Sequence, residues 1–315
     1  MNSLHSLLAF CARNARWVLV AGLLAGLALQ SVADLFKPSI PWLIALLLFT
    51  ASFRIGHHSA LGALSKLRRH FEITLIMQLC LPLLLLLVVV AFGWTGVYVT
   101  AMLLVAAAAP ISGSPNLVIM LGHEPAAALR QLVVGTALLP LTALPVFLWL
   151  PELGELRAVM LACLRLLLVI TMAAAAGFAL RAWWKPDIND TEIQSVDGLS
   201  AILMAVVVVG LMSALGYALR HDPLSLVLML VFVFVLNFGL QWVGSRVWRG
   251  RYGGEYAVPL SVISGNRNVA LYLTALPASV TDELLLFVGC YQFPMYLTPM
   301  LLRRFYHQDF SATSP

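Results

Sequence analysis

The sequence predicts an all-α polytopic membrane protein of ten transmembrane helices, arranged as two inverted five-helix repeats. Three observations predict it. The 315 residues are 61% hydrophobic and only 10% charged, with a mean hydropathy of +0.94; a soluble domain is about a quarter charged. Ten apolar runs are long enough to cross a bilayer, which takes about 20 residues each. One phrase also occurs twice, at the same place in each half: ISGSPN at 111–116 and ISGNRN at 263–268.

The chain opens with Leu4, Leu7, Leu8 and Phe10 at roughly helical spacing, followed by Arg13 and Arg16. This reads as a short interfacial helix leading into an uncleaved first span. The spans then run over 16–33, 40–56, 72–93, 96–121, 128–150, 156–181, 198–219, 224–246, 256–277 and 283–303. Most connections are short. The longest, 182–197, is polar and acidic and lies near mid-chain. Five spans per half put the repeats at 1–151 and 152–315.

Orientation follows from the basic residues. With a cytoplasmic N-terminus, the inside segments hold Arg13, Arg16, Arg54, Lys66, Arg68, Arg69, Arg181, Lys185, Arg246, Arg249, Arg251, Arg303 and Arg304, while the outside loops hold Lys37, Arg157 and Arg220. That asymmetry predicts both termini in the cytoplasm. It also accounts for a pI near 9.2 without nucleic acid as a partner. The absence of organelle signals points to a cell (inner) membrane. Cys11, Cys80, Cys163 and Cys290 are scattered without CxxC spacing, so they read as packing residues, with no metal, disulfide or cofactor implied.

The repeated phrase carries the chemistry. An odd number of spans per half turns the second repeat upside down, which places the two copies in spans 4 and 9. Interrupted helices at matching places of inverted repeats are a signature of secondary transporters. In span 4, Pro110 and Pro115 each remove a backbone donor, and Gly113 permits departure from helical geometry; Gly265 takes that part in span 9. The freed backbone groups have to be buried against protein or line a wet cavity. Ser112, Ser114 and Asn116 in one break, and Ser264, Asn266, Arg267 and Asn268 in the other, complete a polar set. The competing reading is a pair of kinked helices packed through small residues.

Arg267 is the most informative residue, because a charge at mid-membrane costs about 2.5–3.5 kcal/mol even on the lenient insertion scale. It could hold a substrate carboxylate or sulfonate, act as a built-in cation, or pair with buried backbone carbonyls. Arg165 and Arg130 lie nearer span edges, where snorkelling competes with a functional role. Gln78 in span 3, with Asn237 and Gln241 in span 8, are amides that line a site or join helices.

These pieces in this order, MQLCLP, APISGSPN, LNFGLQ and GNRNVAL with Pro294 and Pro299 in the last span, resemble the bile acid:sodium symporter superfamily over nearly the whole chain. The resemblance implies a panel of spans 1, 2, 6 and 7 and a core of spans 3–5 and 8–10. It implies that helices 4 and 9 cross at their unwound centres, and that an organic anion binds in the crevice between the domains. It carries Gln78, Asn116 and Asn268 onto sodium-site positions, with Ser114 beside them as a remnant. Other positions depart from the family pattern. Its span-9 glutamate falls on Ile263, the glutamine of its QN pair on Arg267, and its span-4 serine on Pro115. Its span-5 hydroxyls fall on Ala128 or Leu129 and on Leu132 or Val133. Loss of the carboxylate, with an arginine added beside it, repels sodium.

The expected function is therefore alternating-access transport of a small or amphipathic organic anion without sodium. The alternatives are an ordinary sodium-coupled symporter of bile-acid-like anions and a non-transporting membrane sensor. An enzyme is not expected: the spans as drawn hold no histidine and no aspartate pair, and Ser112 and Ser264 have no visible base.

Overall fold

A computed structural model describes residues 2–63, 66–150, 153 and 155–311. Apart from one isolated bridge, the secondary structure among the described residues is helical. Among the described residues, seven helices are long and apolar enough to cross a membrane: Gln30–His58, Leu67–Phe92, Ala126–Trp149, Leu156–Trp184, Asp190–His221, Pro223–Tyr252 and Ala278–Leu301. The pair Leu4–Arg13 and Trp17–Ala28, bent by 88°, is an eighth if counted as one span. The chain is thus a polytopic all-α membrane protein. The expected count of ten is not reached by length alone; with that pair counted, the two spans that fall short are those carrying the repeated phrase. Span 4 is split into α7 (Val97–Ala107) and α8 (Ser114–Met120). Span 9 is split into α14 (Gly254–Gly265) and a 3₁₀ stretch, Val269–Thr274.

The chain forms two compact units, each drawn from three stretches of sequence. They are not the halves 1–151 and 152–315, since a repeat is a relation along the chain and a compact unit is a relation in space. The first unit comprises Met1–Gly62, Arg165–Val227 and Ala270–Gly289. It contains α1 (Asn2–Arg13), α2 (Ala15–Ala28), α3 (Gln30–Phe36), nearly all of α4 (Ile40–Ala63) and α12 (Asp190–His221), with much of α11 (Leu156–Trp184). Its helices approach through glycine. A Cβ on Gly26 would lie 2.7 Å from Met212 Cβ, and one on Gly177 would lie 2.6 Å from the Phe49 carbonyl oxygen. Small residues at crossings are how membrane helices gain contact where lipid removes the hydrophobic drive. Asn189 and Glu192 cap α12 reciprocally, and Arg54 holds Asp197 through two hydrogen bonds.

The second unit comprises Ala63–Leu164, Leu228–Val269 and Cys290–Pro315. It holds α5 (Leu67–Leu75), α6 (Leu81–Phe92), α7, α8, α9 (Ala126–Thr142), α10 (Leu144–Trp149), most of α13 (Pro223–Tyr252), α14, the end of α15 (Ala278–Leu301) and α16 (Arg303–Ser311). A π-helical turn, Ile76–Cys80, joins α5 to α6 just before Pro82. A π-bulge widens a helix locally, as functional helices often do. The helix begins at Leu67, not at 72, so His70 lies inside it. The reading of the spans as free of histidine is corrected by those added turns.

Candidate functional site

The two breaks of the second unit meet each other. The chain leaves α7 at Ala108 in extended geometry (φ −68°, ψ 150°) and leaves α14 at Asn266 (φ −98°, ψ 85°). The freed segments pair as an antiparallel bridge between Pro110 and Arg267. Ile111 N–H donates to Asn266 O at 3.0 Å, and Asn268 N–H donates to Ala109 O at 2.8 Å. Backbone groups released by each break are therefore satisfied by the other, as an apolar solvent requires.

The two glycines differ. Gly113 caps α8 at φ −80° with open space where a Cβ would stand. It is not what releases the helix, contrary to expectation: α7 ends at the extended Ala108, just before Pro110. A Cβ on Gly265 would stand 2.1 Å from Asn237 O and 2.7 Å from Gln241 Cγ. Gly265 is needed for close approach.

Arg267 is 1% exposed. Its Nε donates to Ser264 O at 3.0 Å and its Nη1 to Ala108 O at 2.9 Å. Those carbonyls close the C-terminal ends of α14 and α7. Each helix C-terminus carries roughly half a negative elementary charge, so two of them together nearly balance one guanidinium. The arrangement is that of a cation site with the cation covalently attached.

A buried amide network holds this end of α14. Asn237 Nδ2 donates to Gly265 O at 2.5 Å, and the Tyr291 hydroxyl donates to the same carbonyl. Gln241 Nε2 donates to Asn237 Oδ1 at 2.7 Å and to Thr298 Oγ1 at 3.0 Å, and its own Oε1 accepts from the Tyr306 hydroxyl at 2.9 Å. Asn266 Nδ2 donates to Val262 O at 2.7 Å, and Trp248 Nε1 donates to Ser264 Oγ at 3.0 Å. Asn237, Gln241, Asn266 and Ser264 are thereby committed to protein partners. Tyr291, Thr298 and Tyr306 complete this network and were not signalled by sequence, because a hydroxyl in an apolar run carries no periodicity of its own.

The other expected site residues are more dispersed. Ser112 and Asn268 are half-buried beside the bridge, whereas Asn116 is exposed on α8. Pro115 occupies the first turn of α8. Ser114 is fully buried, and its Oγ has no hydrogen-bond partner. Gln78 is fully buried and its Oε1 accepts from Thr142 Oγ1 at 3.2 Å, leaving Nε2 without a partner. Ile263 is fully buried in an apolar cluster with Met77, Val118, Leu121 and Trp248, surroundings that suit no cation. Arg165 is exposed, and Arg130 is half-buried on α9.

Comparison with protein-family models and with curated proteins returns no match.

Proposed function

We propose that this chain is a secondary transporter of a small or amphipathic organic anion. It works by alternating access in an inner membrane with both termini cytoplasmic, as a distant member of the bile acid:sodium symporter superfamily. The observation that carries this reading is Arg267, buried where two broken helices meet and held by the carbonyls that end them. A built-in cation, held by the two helix ends, takes the place of a bound sodium ion and removes the need for one. The half-buried Ser112 and Asn268 and the exposed Asn116 remain to contact substrate, since Asn266 and Ser264 are bonded within the protein. Ten spans, as two inverted repeats, belong to the same proposal: seven by length, the bent pair counted as an eighth, and the two whose breaks shorten them. Two compact units are the minimum that alternating access requires.

The test is counterflow of labelled taurocholate, succinate and isethionate in proteoliposomes, with and without a sodium gradient. Transport should be indifferent to sodium. Arg267→Gln should abolish it without creating sodium dependence. Normal uptake by that variant would sink the proposal, and silence across the panel would favour a membrane sensor.

A further inference from the structure

A second polar feature runs through the same unit. His70, Thr74 and Gln78 recur every four residues along the α5–π-turn segment, which places them on one helix face, and all three are fully buried. They meet Gln131, Gly135 and Thr142 of α9. His70 Nδ1 lies 3.1 Å from Gln131 Oε1, Gln131 Nε2 donates to Thr74 Oγ1 at 2.7 Å, and the Thr74 hydroxyl donates to His70 O at 2.8 Å. A Cβ on Gly135 would touch both Gln78 Nε2, at 2.5 Å, and Pro110 Cδ, at 3.0 Å. The seam thus runs from His70 to the proline of the Arg267 crossing. Buried polar groups in this number need a reason, since each costs free energy unless bonded.

The bonds around His70 assign its tautomer. Gln131 uses its amide protons on Thr74 and turns its oxygen to the ring, so Nδ1 carries the hydrogen and Nε2 presents a bare lone pair. That Nε2 is buried without a partner, as is the hydroxyl of Tyr256, whose ring centroid is 5.8 Å from that of His70. Lys66 and Arg69 lie over the Tyr256 ring at 5.8 and 5.1 Å, and with Arg130 they act electrostatically on His70. Lys66 and Arg69 also line a cavity of about 400 Å³ with Leu67, Arg68 and Glu72. Among the described residues, the buried polar and charged side chains include two that ionise, His70 and Arg267. Arginine does not release its proton in proteins, which leaves His70 as the one of the two able to gain and lose a charge.

We infer that His70 is a proton-binding site that couples anion movement to a proton, with Nε2 as the accepting atom and the Lys66–Arg69–Arg130 cluster as the place where anion and proton sense each other. This inference rests on the transport reading. An imidazolium at His70 stands among three cations. An anion drawn among them offsets the repulsion, and by reciprocity a proton on His70 strengthens anion binding. One anion and one proton then cross together, and the lone pair returns to its bare state when both leave.

Two measurements test it, with taurocholate as the probe. In pyranine-loaded proteoliposomes at equal starting pH, external taurocholate should acidify the lumen as it enters. In detergent, adding it to weakly buffered protein should withdraw protons from the medium. His70→Gln, checked as folded by its size-exclusion profile and melting temperature in detergent, should bind and exchange taurocholate more weakly, while losing both proton signals and at least tenfold of the stimulation given by an inward proton gradient. Proton signals of equal size in His70→Gln overturn the inference, as does wild-type counterflow without luminal acidification. Neither counterflow nor proton withdrawal in the wild type overturns the transport reading and this inference with it.

Discussion

At the scale of single residues, Arg267 and Gly265 set the geometry of the crossing. Arg267 gives two charge-assisted bonds to helix-end carbonyls, and such bonds contribute about 1.5–3 kcal/mol each. Lysine carries the charge as a point without the planar fork. Arg267→Lys should therefore keep one carbonyl satisfied and retain partial stability, whereas Arg267→Gln should melt markedly earlier in detergent. The glycines give a sharper contrast. Gly265→Ala places a methyl 2.1 Å from a backbone oxygen, and overpacking of this kind costs about 1–3 kcal/mol. Gly113→Ala meets open space at an ordinary φ and should be neutral or stabilising by about 0.4–1 kcal/mol. Thermal denaturation of the two variants side by side checks this; equal losses would contradict it. Both glycines stand in the same repeated phrase, and the sequence treats them alike. Only the neighbours, Asn237 and Gln241 on a helix some 25 residues away along the chain, distinguish them.

At the scale of elements, the loop after α8 and the C-terminal helix α16 share a titratable contact. The rings of His123 and His307 lie 6.1 Å apart. Burial first, and His307 second, hold His123 below the usual imidazole value. A group depressed in the folded state binds fewer protons there than when unfolded, so stability rises with pH across the interval between the two values. The contact is complete above about 6.5 and weakens as pH falls through that value towards the depressed one. The protection factors for amide exchange in α16, which correct for the intrinsic pH dependence of exchange, should accordingly fall on acidification below about pH 6.5, and His123→Gln should flatten that response. An unchanged pH response in the variant would show that other groups govern it. The predicted spans placed this loop correctly between apolar runs, but nothing along the chain linked position 123 to position 307. A contact between loop and distant helix has no periodic signature.

At the scale of the whole molecule, the distribution of Lys and Arg makes a topological prediction. Lys37→Cys and Arg157→Cys, each in a cysteine-free background, should react with an impermeant maleimide in intact cells. Arg69→Cys should react only after permeabilisation. The reverse pattern would invert the topology and the side from which His70 is reached.

Class and the two candidate helix breaks were legible in the amino-acid order, because a bilayer demands long apolar runs and penalises every proline, glycine and charge inside them. ISGSPN and ISGNRN were visible as anomalies for that reason, as was Arg267. Tertiary structure alone decided what satisfies the anomalies. It showed that the breaks hydrogen-bond to each other, that Arg267 caps two helix ends, and that Asn237 and Gln241 serve the protein's own backbone. It also moved the start of a helix back to Leu67 and so buried His70 against Gln131. Those outcomes depend on partners dozens to hundreds of residues apart, and hydrogen bonding between such partners is set by packing, which local composition does not encode.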